Sequence, residues 1–503
     1  MVQNKFRYFL YITMFVLLHS CRDSPATIKN IIASSNNEQE LSKAVAYFQE
    51  AGDPRKLKAL NFLLENMPYH EHDTGEAIEN YNFLFDFLAE TPENQKEFME
   101  SIWDSLVVEH DMDRPAYFER VKDIETLTAD FLIDHVDNAF RAWEQPWAKD
   151  LDFADFCNFI LPYKLLKERS ENWMSEVQQD YAGLNVDAED VYDACLQINN
   201  ELKRRFKIRT LPAIADVTYS QLDRIRSGKC YHATQYTSYV MRTFGVPVVI
   251  DYTYWGNMNG GHEWNALIYN GKPIPFVGSE SDPGKTKIDL ARQRKRSKVF
   301  RHSYAIQRDE IRYLIEEGED IPPLLRDYYM QDVTKDYIPV KDVEFAVDPA
   351  YDKRYLYLCI FNRQEWIPIY WGKSKNSRVV FPNMGRGILY LPVAYEVKDL
   401  ISVSNPVIVH QDGRVEEINV DSSTKRTIVM KKKSPEGPSI IKGNAYELFY
   451  WSEGWSSIGK QVAAADSLIY DDVPDNALLW IRSKDKASNE RPFLYKDGEQ
   501  IWY

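Results

Sequence analysis

The hydrophobic period changes along this chain, and that change restricts the available folds more than any single motif does. Over residues 26–206 apolar side chains recur at the spacing that lines one face of a helix; from about Asp342 they alternate, as on a strand. At 503 residues the chain is also long for one hydrophobic core, so two or three domains are expected.

In the helical part, Leu41, Val45 and Phe48 share a face, and Gly52 suits a left-handed stop after them. Asp53-Pro54 has the form of a cap followed by proline at the first helical position; Leu57, Leu60 and Leu64 then form an apolar face, and Met67-Pro68 ends it. Further amphipathic segments are expected around residues 81–88, 95–107 and 153–166. In the last third, residues 355–361 are rich in aromatic and β-branched side chains. Asp412-Gly413 and Asp497-Gly498 are hairpin turns between alternating segments. Across the second turn, Phe493 and Tyr495 are expected to share a face with Ile501 and Tyr503. Trp366, Trp371, Trp451, Trp455, Trp480 and Trp502 are read as the core of a β-sandwich, although sugar-stacking platforms use the same residues.

Composition removes several classes. A hydrophobic fraction of 44% with 27% charged residues is that of a globular chain. A formal charge of −15 repels a phosphate backbone, so no nucleic-acid partner is expected, and the basic residues 431–433 are read as a solvated strand end or turn. Five cysteines make no disulfide framework; Cys157 and Cys195 fall in helical stretches and Cys359 in a strand, each as a buried small hydrophobe. His70-Glu71-His72-Asp73 and Glu109-His110-Asp111 hold metal-ligand residue types. Histidines two apart share a face only on a strand, however, and the first group follows a helix-ending proline. A solvated loop is expected there, with no metal and no cofactor.

Lys5 and Arg7 precede an apolar run, residues 8–18, broken only by Thr13. That is shorter than the roughly 20 residues needed to cross a bilayer and has the form of a secretory signal. The segment Leu18-His19-Ser20-Cys21 resembles a lipobox, with His19 where a small residue is usual. The resemblance implies a lipidated Cys21, export, and anchorage in the membrane of a bacterial cell envelope.

Gly228-Lys229-Cys230 introduces a helical segment on which Ala233, Tyr236, Thr237, Val240, Met241 and Phe244 recur, ending at Gly245-Val246-Pro247. Cys230 therefore opens a buried helix, where free N–H groups and the helix dipole are expected to favour a thiolate and lower its pKa. A strand over residues 248–254 follows, then one beginning at His262, so that a base can reach the thiol from a neighbouring sheet. Asn270-Gly271 is a hairpin turn; pairing about it sums to about 541, which puts Ser279 or Glu280 beside His262. Glu280 is thus expected to orient the imidazole.

Gly228-Lys229-Cys230, Arg242-Thr243-Phe244-Gly245-Val246-Pro247 and Gly261-His262-Glu263-Trp264-Asn265 together resemble the transglutaminase-like (papain-like) core. The resemblance covers about 100 residues. It implies acyl transfer at an amide by Cys230 and His262 through a thioester, and a peptide or protein substrate, with a glycan as a further possible partner. The family's Asp after a Trp-containing run is replaced here by Pro273-Ile274-Pro275-Phe276. Glu280 is the expected substitute and Asp282 the next; if neither reaches His262, a bare dyad or an inactive binding module remains. The fold expected is α+β: a signal peptide (1–20), a helical region (21–205), the transglutaminase-like core (206–300), a helical connector (301–340) and an antiparallel β-sandwich-like domain (341–503).

Overall fold

The computed structural model describes residues 25–92, 105–106, 109, 119–209, 217–285, 294–307, 318–348, 353–435, 440–483 and 490–503. The expectations at residues 1–21, including Cys21, at His110 and Asp111, and at most of 95–107 lie outside these.

Helices α1 (Pro25–Ser34), α2 (Glu38–Glu50) and α3 (Pro54–Asn66) follow the apolar spacing. Gly52 turns the chain at φ +67°, and the Asp53 carboxylate accepts from the N–H groups of Arg55 (3.0 Å) and Lys56 (3.1 Å). Where a loop was expected, residues 71–74 form a strand, β1 (Glu71–Thr74). Beyond α4 (Glu76–Glu90), this strand pairs antiparallel with β2 (Glu119–Lys122). Asp123 is the physical reason. Fully buried, it needs partners, and it takes His72 (3.0 Å), the Tyr163 hydroxyl (3.0 Å) and the Lys164 ammonium (2.5 Å). Burial alone would raise this carboxyl, but the bonds to His72 and Lys164 hold it below its ordinary value. His70 is buried too, 3.0 Å from the Tyr304 carbonyl, so it is lost to any surface metal site.

Helices α5 (Ala129–Trp143), α6 (Phe153–Phe159), α7 (Trp173–Asp180) and α8 (Val191–Arg205) complete the region. The helix expected over 153–166 ends at Phe159 because Leu161 precedes Pro162, which disfavours helical backbone.

After α9 (Tyr219–Ile225), α10 (Cys230–Thr243) runs with all residues from His232 to Thr243 buried. It packs on an antiparallel sheet of β3 (Val248–Trp255), β4 (Gly261–Tyr269), β5 (Lys272–Phe276), β6 (Arg296–His302) and β7 (Met330–Asp332), ordered β5-β4-β3-β6-β7. The Arg242 to Pro247 motif is the hinge between helix and sheet. Gly245 sits at φ +70° with the Ala142 carbonyl where a Cβ would go, and the buried Arg242 donates to the Val248 carbonyl at 3.2 Å.

The C-terminal part is β-rich. Strands β8 (Val340–Ala346), β9 (Tyr355–Asn362), β10 (Glu365–Lys375), β11 (Arg378–Gly385), β12 (Ile388–Glu396), β13 (Asp399–Ser402), β14 (Val407–Val409) and β15 (Val415–Glu417) make one eight-stranded antiparallel sheet. Strand β16 (Asp421–Met430) pairs across the chain with β19 (Leu468–Asp475). A five-stranded sheet combines β17 (Ala445–Trp451), β18 (Trp455–Val462), β20 (Leu479–Ser483), β21 (Phe493–Lys496) and β22 (Glu499–Trp502). The chain is thus α+β with a β-rich C-terminal part. Both predicted turns connect hairpins, but the face assignment at the second is corrected. The two-residue Asp497-Gly498 turn pairs Lys496 with Glu499, so Phe493 shares its face with Trp502, while Ile501 lies opposite Leu494.

Two side chains fasten this β-rich part to the loop between β3 and β4. Buried Arg491 donates to the carbonyls of Gly256 (2.9 Å), Tyr503 (2.9 Å) and Phe361. The Asn362 amide donates to the carbonyls of Trp255, Met258 and Gly260 and accepts from the Gly260 N–H.

Candidate active site

Cys230 is partly exposed, whereas Cys157, Cys195 and Cys359 are buried, as expected of them. Its position begins with Gly228: a Cβ there would lie 2.5 Å from the His232 ring, which accepts from the Lys229 N–H at 3.2 Å and closes the first turn. The thiol stands at the free end of strand β4. Along that strand the Ile268 N–H turns toward the β3 side, to the Pro247 carbonyl, so odd-numbered N–H groups face β5. Strand β5 stops at Phe276, opposite Asn265, and leaves the Glu263 N–H to face the sulfur.

The expected lowering of the thiol pKa is corrected. Burial pushes it up, and the Glu263 carboxylate pushes it further; the N–H groups of Tyr231, Glu263 and Cys230 itself favour the thiolate without reversing the sign.

His262 does not hydrogen-bond to Cys230 among the described contacts. Asn265 gives the facing of the strand. Its amide donates to the Thr234 carbonyl (2.9 Å) and Ser238 Oγ (3.0 Å) on α10, so Glu263, Asn265 and Leu267 face the helix, while His262 and Trp264 face away. The imidazole lies between the indoles of Trp255 (ring centroids 6.2 Å apart) and Trp264 (6.0 Å). Arg294 and Arg296 lie over those indoles, 5.6 Å from each centroid. Burial first, and the two guanidinium charges second, hold His262 down at about 4, so it is a neutral base at neutral pH.

The hairpin count is right over residues 265–269, where Asn265 pairs with Phe276 and Tyr269 with Lys272. It does not extend to His262. Beyond Phe276 the chain turns at 277–281 and packs on the helices: a Cβ on Gly278 would meet Thr237 Oγ1 at 2.0 Å, and the Gly278 N–H donates to Asn265 Oδ1 at 3.1 Å. Ser279 donates its N–H to Asn199, Glu280 is exposed on the turn, and Asp282 bonds to Asn199 (3.1 Å) and Lys203. Neither acid is placed on the imidazole; the shortness of β5 is the reason.

Sequence reasoning passed over Glu263 and Asn265. Asn265 carries a signal that could have found it: a lone amide in the apolar run Trp264 to Ile268 must have buried partners. Glu263 opens onto a cavity of about 360 Å³ whose wall includes His302, Asp327, Tyr328 and Tyr304. Among the described residues no group of three or more histidines, cysteines or acids could hold a metal ion. The arrangement offers a sulfur nucleophile with backbone N–H donors around it, and a neutral imidazole on the far face of the adjoining strand.

No family model matches this chain, and no curated protein matches it. Among solved structures it is similar to a protein from Cytophaga hutchinsonii provisionally assigned as a cysteine protease, at 16% identity and a TM-score of 0.23 over 30% of this chain. The match spans 54% of that neighbour's length.

Proposed function

We propose that the central domain is a transglutaminase-like thiol site performing acyl transfer at a peptide or amide bond, with water as the usual acceptor. The observation that carries the reading is Cys230: partly exposed, at the first turn of buried α10, its sulfur at the open end of the strand that bears His262. In the reaction His262 takes the thiol proton as sulfur bonds to the carbonyl carbon, then gives it to the leaving amine as the C–N bond breaks. Water hydrolyses the resulting thioester and restores the thiol. The N–H groups that approach the sulfur are the donors available to the oxyanion. At rest the imidazole lies on the other face of β4 from the sulfur, so this step requires the ring to leave the Trp255–Trp264 pair and reach the open end of the strand.

A second reading is a peptide- or glycan-binding module without turnover. The raised thiol pKa and the missing Cys230–His262 bond favour it. An activated aryl ester separates the two. The enzymatic reading gives a burst of phenolate and an acyl adduct on Cys230 that water removes, with both lost in Cys230→Ser. Absence of burst and adduct leaves the binding module. The basic start, short apolar run and lipobox-like Cys21 support an exported protein anchored in the envelope membrane. Cys21→Ser should move it from the membrane to the soluble fraction; unchanged membrane retention contradicts the anchor.

A further inference from the structure

Three hairpins from the two C-terminal sheets meet around a cleft of about 440 Å³: the turn from β9 to β10, the turn from β12 to β13, and the turn from β17 to β18. Its floor is made of the indoles of Trp366, Trp451 and Trp455. Trp451 stands edge-to-face to both others, with ring centroids 5.5 Å from Trp366 and 5.1 Å from Trp455. Buried indole N–H groups usually find an acceptor. Those of Trp366 and Trp451, two of the residues lining the cleft, have none among the described residues and are closed off from solvent. Around this floor stand Glu365, Asp399 and Glu453, which make no ion pair with any described residue.

A ligand that fits must offer apolar faces to indole rings and donors to three carboxylates. We propose that this cleft binds a neutral oligosaccharide. The C–H faces of pyranose rings lie on the indoles, and ring hydroxyls donate to the carboxylates. Against a single cation in the cleft, Lys398, the acidic rim repels uronate or sulfated sugars. A proline-rich peptide also stacks on indoles but brings no side-chain donors for the carboxylates. The volume lies within the range of about 300–1,000 Å³ typical of small-ligand sites. This site is separate from the thiol chemistry and stands whether or not Cys230 turns over.

The test is titration of the full chain with soluble gluco-, xylo-, manno- and chito-oligosaccharides, followed by tryptophan fluorescence and calorimetry, with an oligogalacturonate as the charged control. At least one neutral series is expected to saturate with a Kd of about 1 mM or tighter. Trp455→Ala should abolish that binding. Because Trp455 also packs against the apolar core, the exposed-rim variant Glu453→Lys is the second arm. It should weaken binding at least about tenfold at an unchanged unfolding midpoint. The proposal is overturned if no neutral series saturates, if Glu453→Lys binds like the parent, or if oligogalacturonate or a proline-rich peptide binds more tightly than every neutral sugar.

Discussion

The side-chain charge set against the Cys230 sulfur is the carboxylate of Glu263, while His262, the next residue along the strand, packs between two indoles on the other face. The negative charge adds to burial in disfavouring the thiolate. Glu263→Gln removes it, so the Cys230 pKa should fall. Thiolate absorbance followed through a pH titration reads this directly; a curve that stays put or moves upward would remove Glu263 from the account.

Asn265 ties β4 to both α10 and the 277–281 turn through three hydrogen bonds. Asn265→Leu keeps the volume but strands the buried Gly278 N–H, a loss of about 1–3 kcal/mol, while Ser238 Oγ keeps its bond to the Thr234 carbonyl. Urea denaturation should show a destabilisation of that order. A midpoint within error of the parent would mean that these groups find other partners.

On the sheet's far side, Arg301 makes a two-pronged bond to buried Asp251 (2.8 and 2.9 Å), which also accepts from the Tyr337 hydroxyl at 2.5 Å. Removing one partner of a buried pair leaves an uncompensated charge, so Arg301→Met should cost about 3–5 kcal/mol. The double variant Asp251→Leu with Arg301→Met should recover part of that loss. If the double variant is as unstable as the sum of the singles, the two residues are not coupled.

Three buried histidines make the fold acid-sensitive. Burial holds His70 and His232 down at about 3 and His135 at about 4, below the ordinary histidine value. Above about pH 6.5 each is neutral in both states, and the full stability is present. As the pH falls toward their folded values the unfolded chain takes up protons first. Each then removes about 1.4 kcal/mol per pH unit. Thermal midpoints should fall steeply from about pH 6.5 to about pH 4.5, and less steeply in His135→Gln. A flat profile would mean that these rings are solvated.

How much of this was legible depended on whether a feature was local. Asp53-Pro54, Gly52, Asn270-Gly271 and Gly245 are local devices, each set by one backbone angle or one cap, and all appear where the spacing put them. The helix opened by Cys230 and the strand opened by His262 were equally readable. What failed depended on partners far along the chain. The strand at Glu71–Thr74 is held where Asp123 takes its His72 and the Tyr304 carbonyl takes the preceding His70. Glu280 misses His262 because Gly278 turns onto Thr237 at the point where a longer β5 would have carried it forward. The sign at the thiol failed for another reason: helix position was visible in the sequence, but burial and the Glu263 charge were not.

His262 is the proposed base for Cys230, and the alkylation kinetics of that cysteine show whether it acts as one. With iodoacetamide from about pH 5 to about pH 10 and adducts located by mass spectrometry, Cys230 should label at neutral pH despite its raised pKa. In His262→Ala the neutral-pH rate should fall at least about tenfold. Labelling confined to alkaline pH, and equal in parent and variant, would contradict the account.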